Sequence, residues 1–197
     1  MSATVLYMSI SLDGFIAGPN ERVDNGLGDG GDRLHEWLTG AHADPKEALA
    51  EARVNAQIVD EFMSTGAVVA GRGTVEPAGY WGGDHHDGVP IFILTRRDPA
   101  NLKQWPLVTY VNDIATAMTQ AKEAAGEKNV LVHGAGITQL ALNAGALDEI
   151  ELHVIPVLLG QGRRLFDRLA ANQLELERTR VLEGENGVTH MHYRIQH

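Results

Sequence analysis

Three short stretches of this chain combine glycine, hydroxyl and guanidinium groups: Gly71-Arg72-Gly73-Thr74, Thr95-Arg96-Arg97 and Gly134-Ala135-Gly136-Ile137-Thr138. The chemistry such a set can do is anion binding. A planar guanidinium takes two oxygens at once. A glycine-rich segment that opens a helix turns free backbone N–H groups toward a phosphate. Five of the 16 basic residues fall at points of this kind: Arg72, Arg96, Arg97, Arg163 and Arg164. On a chain of net charge −10 that is local positive charge, and it points to an anionic ligand. Each stretch alone reads as an ordinary turn. Residues 134–139 read Gly-Ala-Gly-Ile-Thr-Gln, which is not G-x-G-x-x-G, and no Gly-Lys-Ser/Thr of a P-loop is present. Their recurrence on successive strand ends carries the inference.

The elements that must hold these stretches alternate in period. Val5–Ile10 is apolar on both faces, as in a buried strand, and runs into Ser11-Leu12-Asp13-Gly14. Residues 24–32 hold Gly26, Gly28, Gly30 and Gly31 and read as a loop, with Asp32 capping a short helix through Leu38. Asp44-Pro45 starts a helix whose apolar face is Leu49, Ala52, Ala56, Val59 and Met63, and Gly66 ends it. Strands follow at 67–70, 90–94, 107–111, 129–133 and 150–156, with a polar loop at 77–88. Asn112 or Asp113 caps a helix facing inward with Ile114, Ala117, Met118, Ala121 and Ala125. A further helix opens after Gly134 and ends at Gly145. Leu174–Leu182 and Val188–Ile195 alternate around Glu183–Gly187, an antiparallel hairpin. The expectation is one α/β domain over 1–197, a mixed, mostly parallel central sheet flanked by helices with a C-terminal antiparallel hairpin. In such sheets ligands sit beyond the carboxyl ends of the strands, where the three stretches fall.

Composition narrows the function classes. The chain has 197 residues, 44% hydrophobic and 21% charged, which is globular composition. It has no cysteine, which excludes a disulfide framework, thiol catalysis and a cysteine zinc site. With 16 basic against 26 acidic residues, no nucleic-acid partner is expected. No apolar run reaches the length of a membrane span and no signal peptide is visible, so a cytoplasmic protein without a membrane partner is expected.

The order of these motifs resembles the reductase domain of bacterial riboflavin biosynthesis and the wider dihydrofolate reductase-like superfamily. The matching stretches are Ser11–Ala17, Gly71–Glu76, Leu94-Thr95-Arg96, Val132–Gly136 and, most specifically, Leu147–Phe166. The family's two adjacent glycines read Gly134-Ala135 here. The resemblance implies a dihydrofolate reductase-like fold with NADPH bound across the strand ends. It implies that Gly71, Arg72 and Thr74 line the pyrophosphate and adenosine side, and that Thr95 and Arg96 reach the ribose and its 2′-phosphate. Gly134, Ala135, Gly136 and Ile137 would hold the pyrophosphate. Leu158, Leu159 and Gly160 would approach the nicotinamide, and Asp13 and Gly14 the substrate. It also implies a homodimer.

A reductase needs a group near the substrate ring that orients a C=N or C=O bond or relays a proton. Asp13 is the candidate; as a plain turn residue it would bind its own backbone instead. Trp81 and Tyr80 are candidates to wall a substrate pocket, and Glu76 to pair with Arg72. Asp84-His85-His86-Asp87 reads as a solvated loop, and His190 with His192 as a chance pair on one strand face, so no metal is expected. His133 reads as a satisfied core histidine. The expectation is an NADPH-dependent oxidoreductase acting on a small heterocyclic or carbonyl molecule. The alternative is a nucleotide-binding regulatory module without turnover.

Overall fold

The computed structural model describes residues 2–39, 53–170 and 173–196. An eight-stranded sheet runs β5(Val108–Val111), β4(Ile91–Leu94), β3(Ala67–Gly71), β6(Val130–His133), β1(Thr4–Ser11), β7(Glu149–Ile155), β10(Thr189–Ile195), β9(Leu176–Glu183). The pairs from β5 through β7 are parallel; β10 runs antiparallel to both β7 and β9. Because these strands run parallel, the carboxyl ends of β1, β3, β4, β6 and β7 share one edge.

Alternation divides the core between the two sheet faces. Leu6, Met8 and Ile10 of β1 join Val130 and Val132 on one face. There they meet α4(Ile114–Ala125) through Ala117, Met118 and Ala121, and α5(Ala135–Asn143) through Ile137 and Ala141. Val5 and Tyr7 point the other way, with Val68, Ala70 and Leu131. That second face is covered by α2(Arg53–Met63), by α1(Glu36–Thr39), which contributes Trp37, and by the turn of α3(Arg72–Val75).

Most expected elements are present, and the differences have local causes. Asp113, not Asn112, caps α4, its carboxylate accepting the Thr116 amide at 2.7 Å. Asp32 caps nothing: left-handed Gly30 (φ 73°) precedes a 3₁₀ turn over Gly31–His35 that no side chain caps. Residues 77–88 are not a plain polar loop. The turn over Gly79–Gly83 holds Tyr80 and Trp81 at φ 57° and 49°, a left-handed conformation that non-glycine residues take only under constraint. The short pairing of β2(Phe15–Ala17) with β8(Arg163–Arg164) was not expected, because two arginines read as ligand-binding rather than strand residues. Asp44, Pro45, Leu49 and Ala52 lie outside the described residues.

The first amides of α2 are held from far along the chain. Glu185 accepts from the N–H groups of Arg53, Val54 and Asn55 at 3.0, 3.3 and 3.0 Å. Burial pushes its carboxyl up, and those amides outweigh that and hold it below the usual range. A depressed folded-state value means that this contact stabilises above the unfolded pKa and is lost as pH falls through the folded one. Glu185→Ala is therefore expected to cost about 1 kcal/mol at neutral pH, the scale of a lost helix cap. In urea titrations the gap between wild type and variant narrows as pH drops below about 4; a gap that persists in acid contradicts the clamp.

Candidate functional site

The ends of β3 and β6 meet more closely than side chains allow. Gly134 has φ +96°, and a Cβ there would overlap Thr74 Oγ1. Gly71 faces Ile137, whose Cγ1 would lie 3.2 Å from a Cβ. Gly134 carbonyl oxygen accepts from the Thr138 amide and hydroxyl at 3.1 and 2.9 Å, turning the chain into α5. Among the described residues no side chain caps α5, so its leading amides at Ala135, Gly136 and Ile137 stay available at the strand edge. Ala135 sends its methyl into the core, and a Cβ on exposed Gly136 would meet no atom within 4 Å. The alanine in place of a second glycine thus leaves the open face untouched.

The arginines are mostly not available for a ligand. Arg72 lies 2.9 Å from Glu76, as expected, and Arg97 3.8 Å from the same carboxylate. Arg163 bonds Glu21 at 2.8 Å and the Gly73 carbonyl at 3.0 Å. Arg164 donates to the Asp13 carbonyl at 3.0 Å and stacks over Phe15. Among the described residues two of the five, Arg96 and Arg164, have no ion pair; Arg164 is held by the Asp13 carbonyl, while exposed Arg96 has no side-chain partner. Buried Thr95 accepts the Arg97 amide at 3.1 Å and so shapes the turn that presents Arg96.

Asp13 does not bind its own turn alone. Its carboxylate accepts from Ser11 Oγ at 2.6 Å, Gly160 N at 2.7 Å and Leu159 N at 3.1 Å. It therefore ties the β1–β2 turn, with Gly14 at φ +90°, to the loop after β7. The Ser11 hydroxyl foremost, with the Gly160 and Leu159 amides, holds the carboxyl below the usual range. At neutral pH Asp13 is an ionised acceptor and carries no proton to give. Gly160 N–H is spent on it, leaving Gly160 an open surface, since a Cβ there would meet nothing within 4 Å.

Below this edge lie two cavities that share His35, Trp81 and His133. The smaller, ≈ 120 Å³, reaches Thr74, Gly134, Glu21 and Arg163. The larger, ≈ 220 Å³, lies between β1 (Tyr7, Ser9) and α2 (Ile58, Phe62), with Trp37, His85 and His153. Burial is the main cause that pushes His85 down to about 3 and His133 to about 4, and it drives His153 well below the usual value. These imidazoles are uncharged at neutral pH. Two expectations are corrected. His133 Nδ1 is buried with no hydrogen-bond partner among the described residues, so the ring is not fully satisfied. His85 and His86 are not solvated: His86 is 5% exposed and bonds Thr65 Oγ1 at 3.1 Å, and His85 packs on Trp81. Sequence reasoning missed His35, His85 and His153 as lining residues, since each comes from a different element and none follows a motif.

His190 and His192 go to separate partners. His190 faces His153 at 2.9 Å, while His192 meets Thr179 and lies 3.4 Å from Glu149. Glu151, His153 and His190 keep their ligand-type atoms within 4.8 Å, but Arg180 already bonds Glu151 at 3.1 Å. Burial pushes the Glu151 carboxyl up to about 7 against the pull of Arg180.

The family model described as RibD C-terminal domain matches residues 3–190. The uncharacterized protein YwjB of Bacillus subtilis (strain 168) is 26% identical over 175 residues, 84% of this chain and 83% of that protein. Among solved structures, a putative riboflavin biosynthesis protein from Shewanella sp. PV-4 superposes with a TM-score of 0.72 at 21% identity, covering 99% of each chain. A pyrimidine reductase-like protein from Corynebacterium diphtheriae gives 0.64 at 13% identity, covering 100% of this chain and 92% of that one. RibD of Acinetobacter baumannii gives 0.62 at 18% identity, with this chain spanning 59% of its length. These likenesses bear out the dihydrofolate reductase-like fold.

The Gly134 contact yields a test of its own. Gly134→Ala combines an unfavourable positive φ with an overlap on Thr74, and about 2–4 kcal/mol of stability should be lost in urea denaturation. A loss under about 0.5 kcal/mol would contradict the close approach.

Proposed function

This chain belongs to the RibD C-terminal domain family, and on that premise we propose that it is an NADPH-dependent oxidoreductase that reduces a small heterocyclic (pterin- or pyrimidine-like) or carbonyl substrate. The observation that carries the reading is the unobstructed Gly136 face beside the Gly134–Thr74 contact, with Arg96 the unpaired cation on the neighbouring strand end.

The residues fit the cofactor. The amides of Gly134, Ala135, Gly136 and Ile137 suit a pyrophosphate at a helix start, with Gly71, Arg72 and Thr74 beside them. Thr95 and Arg96 suit a ribose carrying a 2′-phosphate. Gly160 offers a flat surface for the nicotinamide, next to Asp13, Gly14 and Trp81 on the substrate side. NADPH, when bound, supplies the hydride. The chain's part is positioning: Asp13 fixes the loop of Gly160, and Trp81 walls off water. The uncharged imidazoles below present hydrogen-bonding atoms without net charge, which suits a neutral heterocycle. The name of the relative from Corynebacterium, a pyrimidine reductase-like protein, supports a reductase on a pyrimidine-like ring.

One observation favours the second reading, a nucleotide-binding module without turnover: the Asp13 carboxylate is already taken up by Ser11 and two amides. Steady NADPH consumption with a pterin, pyrimidine or carbonyl panel removes that reading. We also propose a cytoplasmic homodimer with a small molecule as its other partner, and neither nucleic acid nor membrane. The outer strand β9 supports the dimer: it exposes Leu176 and Val181 and has no further strand paired to it among the described residues. Sedimentation at twice the chain mass is expected, and a monomer at micromolar concentration contradicts it.

Arg96→Ala should weaken NADPH at least ~10-fold and NADH less than ~2-fold, because only NADPH carries the 2′-phosphate. Equal losses would remove Arg96 from that role. Gly136→Ala should leave the melting temperature unchanged or slightly raised while weakening both cofactors, since its Cβ fills only the open face. Unchanged affinity would place the pyrophosphate elsewhere.

A further inference from the structure

The ≈ 220 Å³ cavity ends on His153, and the protonation of that ring is set from behind. Buried Asn55 spends both amide hydrogens on carbonyls, Trp37 O at 3.1 Å and Glu185 O at 3.3 Å. Its oxygen therefore faces His190 Nε2, 3.0 Å away. A carbonyl oxygen takes only a donor, so His190 carries its proton on Nε2. Burial keeps that ring uncharged, its pKa pushed down to about 4, so Nδ1 holds a lone pair. His190 Nδ1 lies 2.9 Å from His153 Nδ1, which must then be the N–H. His153 is also uncharged, which leaves its Nε2 bare, and that atom has no hydrogen-bond partner among the described residues.

Two neighbours complete the arrangement. Ser9 pairs in register with His153 across β1 and β7, and its oxygen takes the Trp37 indole N–H at 2.9 Å, which leaves its own proton to be donated. Gly184 lies directly over the Asn55–His190 bond, where a Cβ would overlap both atoms. We propose that Asn55 and His190 act as positioning residues that fix the tautomer of His153, so that the cavity presents a bare ring nitrogen beside a hydroxyl donor and selects a flat, uncharged ring bearing adjacent N–H and C=O groups. The ligand's N–H goes to His153 Nε2 and its C=O to the Ser9 hydroxyl. The ligand assignment rests on reading this cavity as the substrate cavity of the proposed reductase; the tautomer does not.

The test is a long-range ¹H–¹⁵N correlation of the imidazole rings in the ¹⁵N-labelled full chain at neutral pH. His153 is expected as Nδ1–H and His190 as Nε2–H; His153 as Nε2–H overturns the proposal. Asn55→Leu should leave His153 in a mixture of tautomers. An unaltered His153 in Asn55→Leu overturns the relay. Gly184→Ala provides the same disruption should Asn55→Leu fail to fold. Uracil should perturb the His153 nitrogens at concentrations at least ~10-fold below those needed for 1,3-dimethyluracil, which lacks the N–H. Equal responses, or none to either, overturn the ligand assignment. A protein that shows the expected tautomers but binds no NADPH keeps the relay and loses the reductase reading; NADPH binding with His153 as Nε2–H does the reverse.

Discussion

No side chain fits between the end of β6 and Thr74, and the candidate site depends on that contact. Gly134 at positive φ lets the two chain segments touch, and the turn it makes aims the leading amides of α5 at the edge where β3 and β4 end. The same turn fixes what comes before it. Along β6, Leu131 and Val132 alternate between the two core faces, so His133 falls on the cavity side and Gly134 on the edge. One backbone contact thus joins the edge proposed to hold the cofactor to the wall of a buried pocket.

The larger pocket is lined mainly by apolar side chains, and the histidines among its polar groups carry no charge. Burial penalises the imidazolium form, so the histidines around Trp81 and Trp37 stay neutral and serve as directional hydrogen-bonding groups. The nearby cation, Arg180, is held by Glu61 through two 2.7 Å bonds and by Glu151, and so does not act as a free charge. The ledge above works by the opposite means, with exposed amides and the unpaired Arg96. An anionic cofactor at the edge and a neutral ring below match this division of charge.

The fold was legible in the sequence because its cues are local. Buried strands show as apolar runs, α4 as a face of Ala117, Met118 and Ala121, and the ledge as glycines at strand ends. What escaped depends on residues far apart in the chain. Asp13 reads as a carboxylate free to orient or protonate a substrate until Leu159, 146 positions later, donates to it. Arg163 reads as an anion ligand until Glu21 pairs with it. His35, His85 and His153 have no common spacing, and only packing of separate elements collects them. Asp32 reads as a cap in the sequence, but a left-handed Gly30 starts the 3₁₀ turn at Gly31–His35 with no capping side chain.

The central claim is that the ledge holds a dinucleotide bearing a 2′-phosphate, and a paired titration of the wild-type protein with NADPH and NADH, followed by nicotinamide fluorescence, tests it most directly. The account predicts saturable binding of both with NADPH at least ~10-fold tighter, the worth of one charge-assisted phosphate contact. Absence of binding by either would mean that the glycine ends are turns alone, and equal affinity would leave Arg96 without its assigned partner.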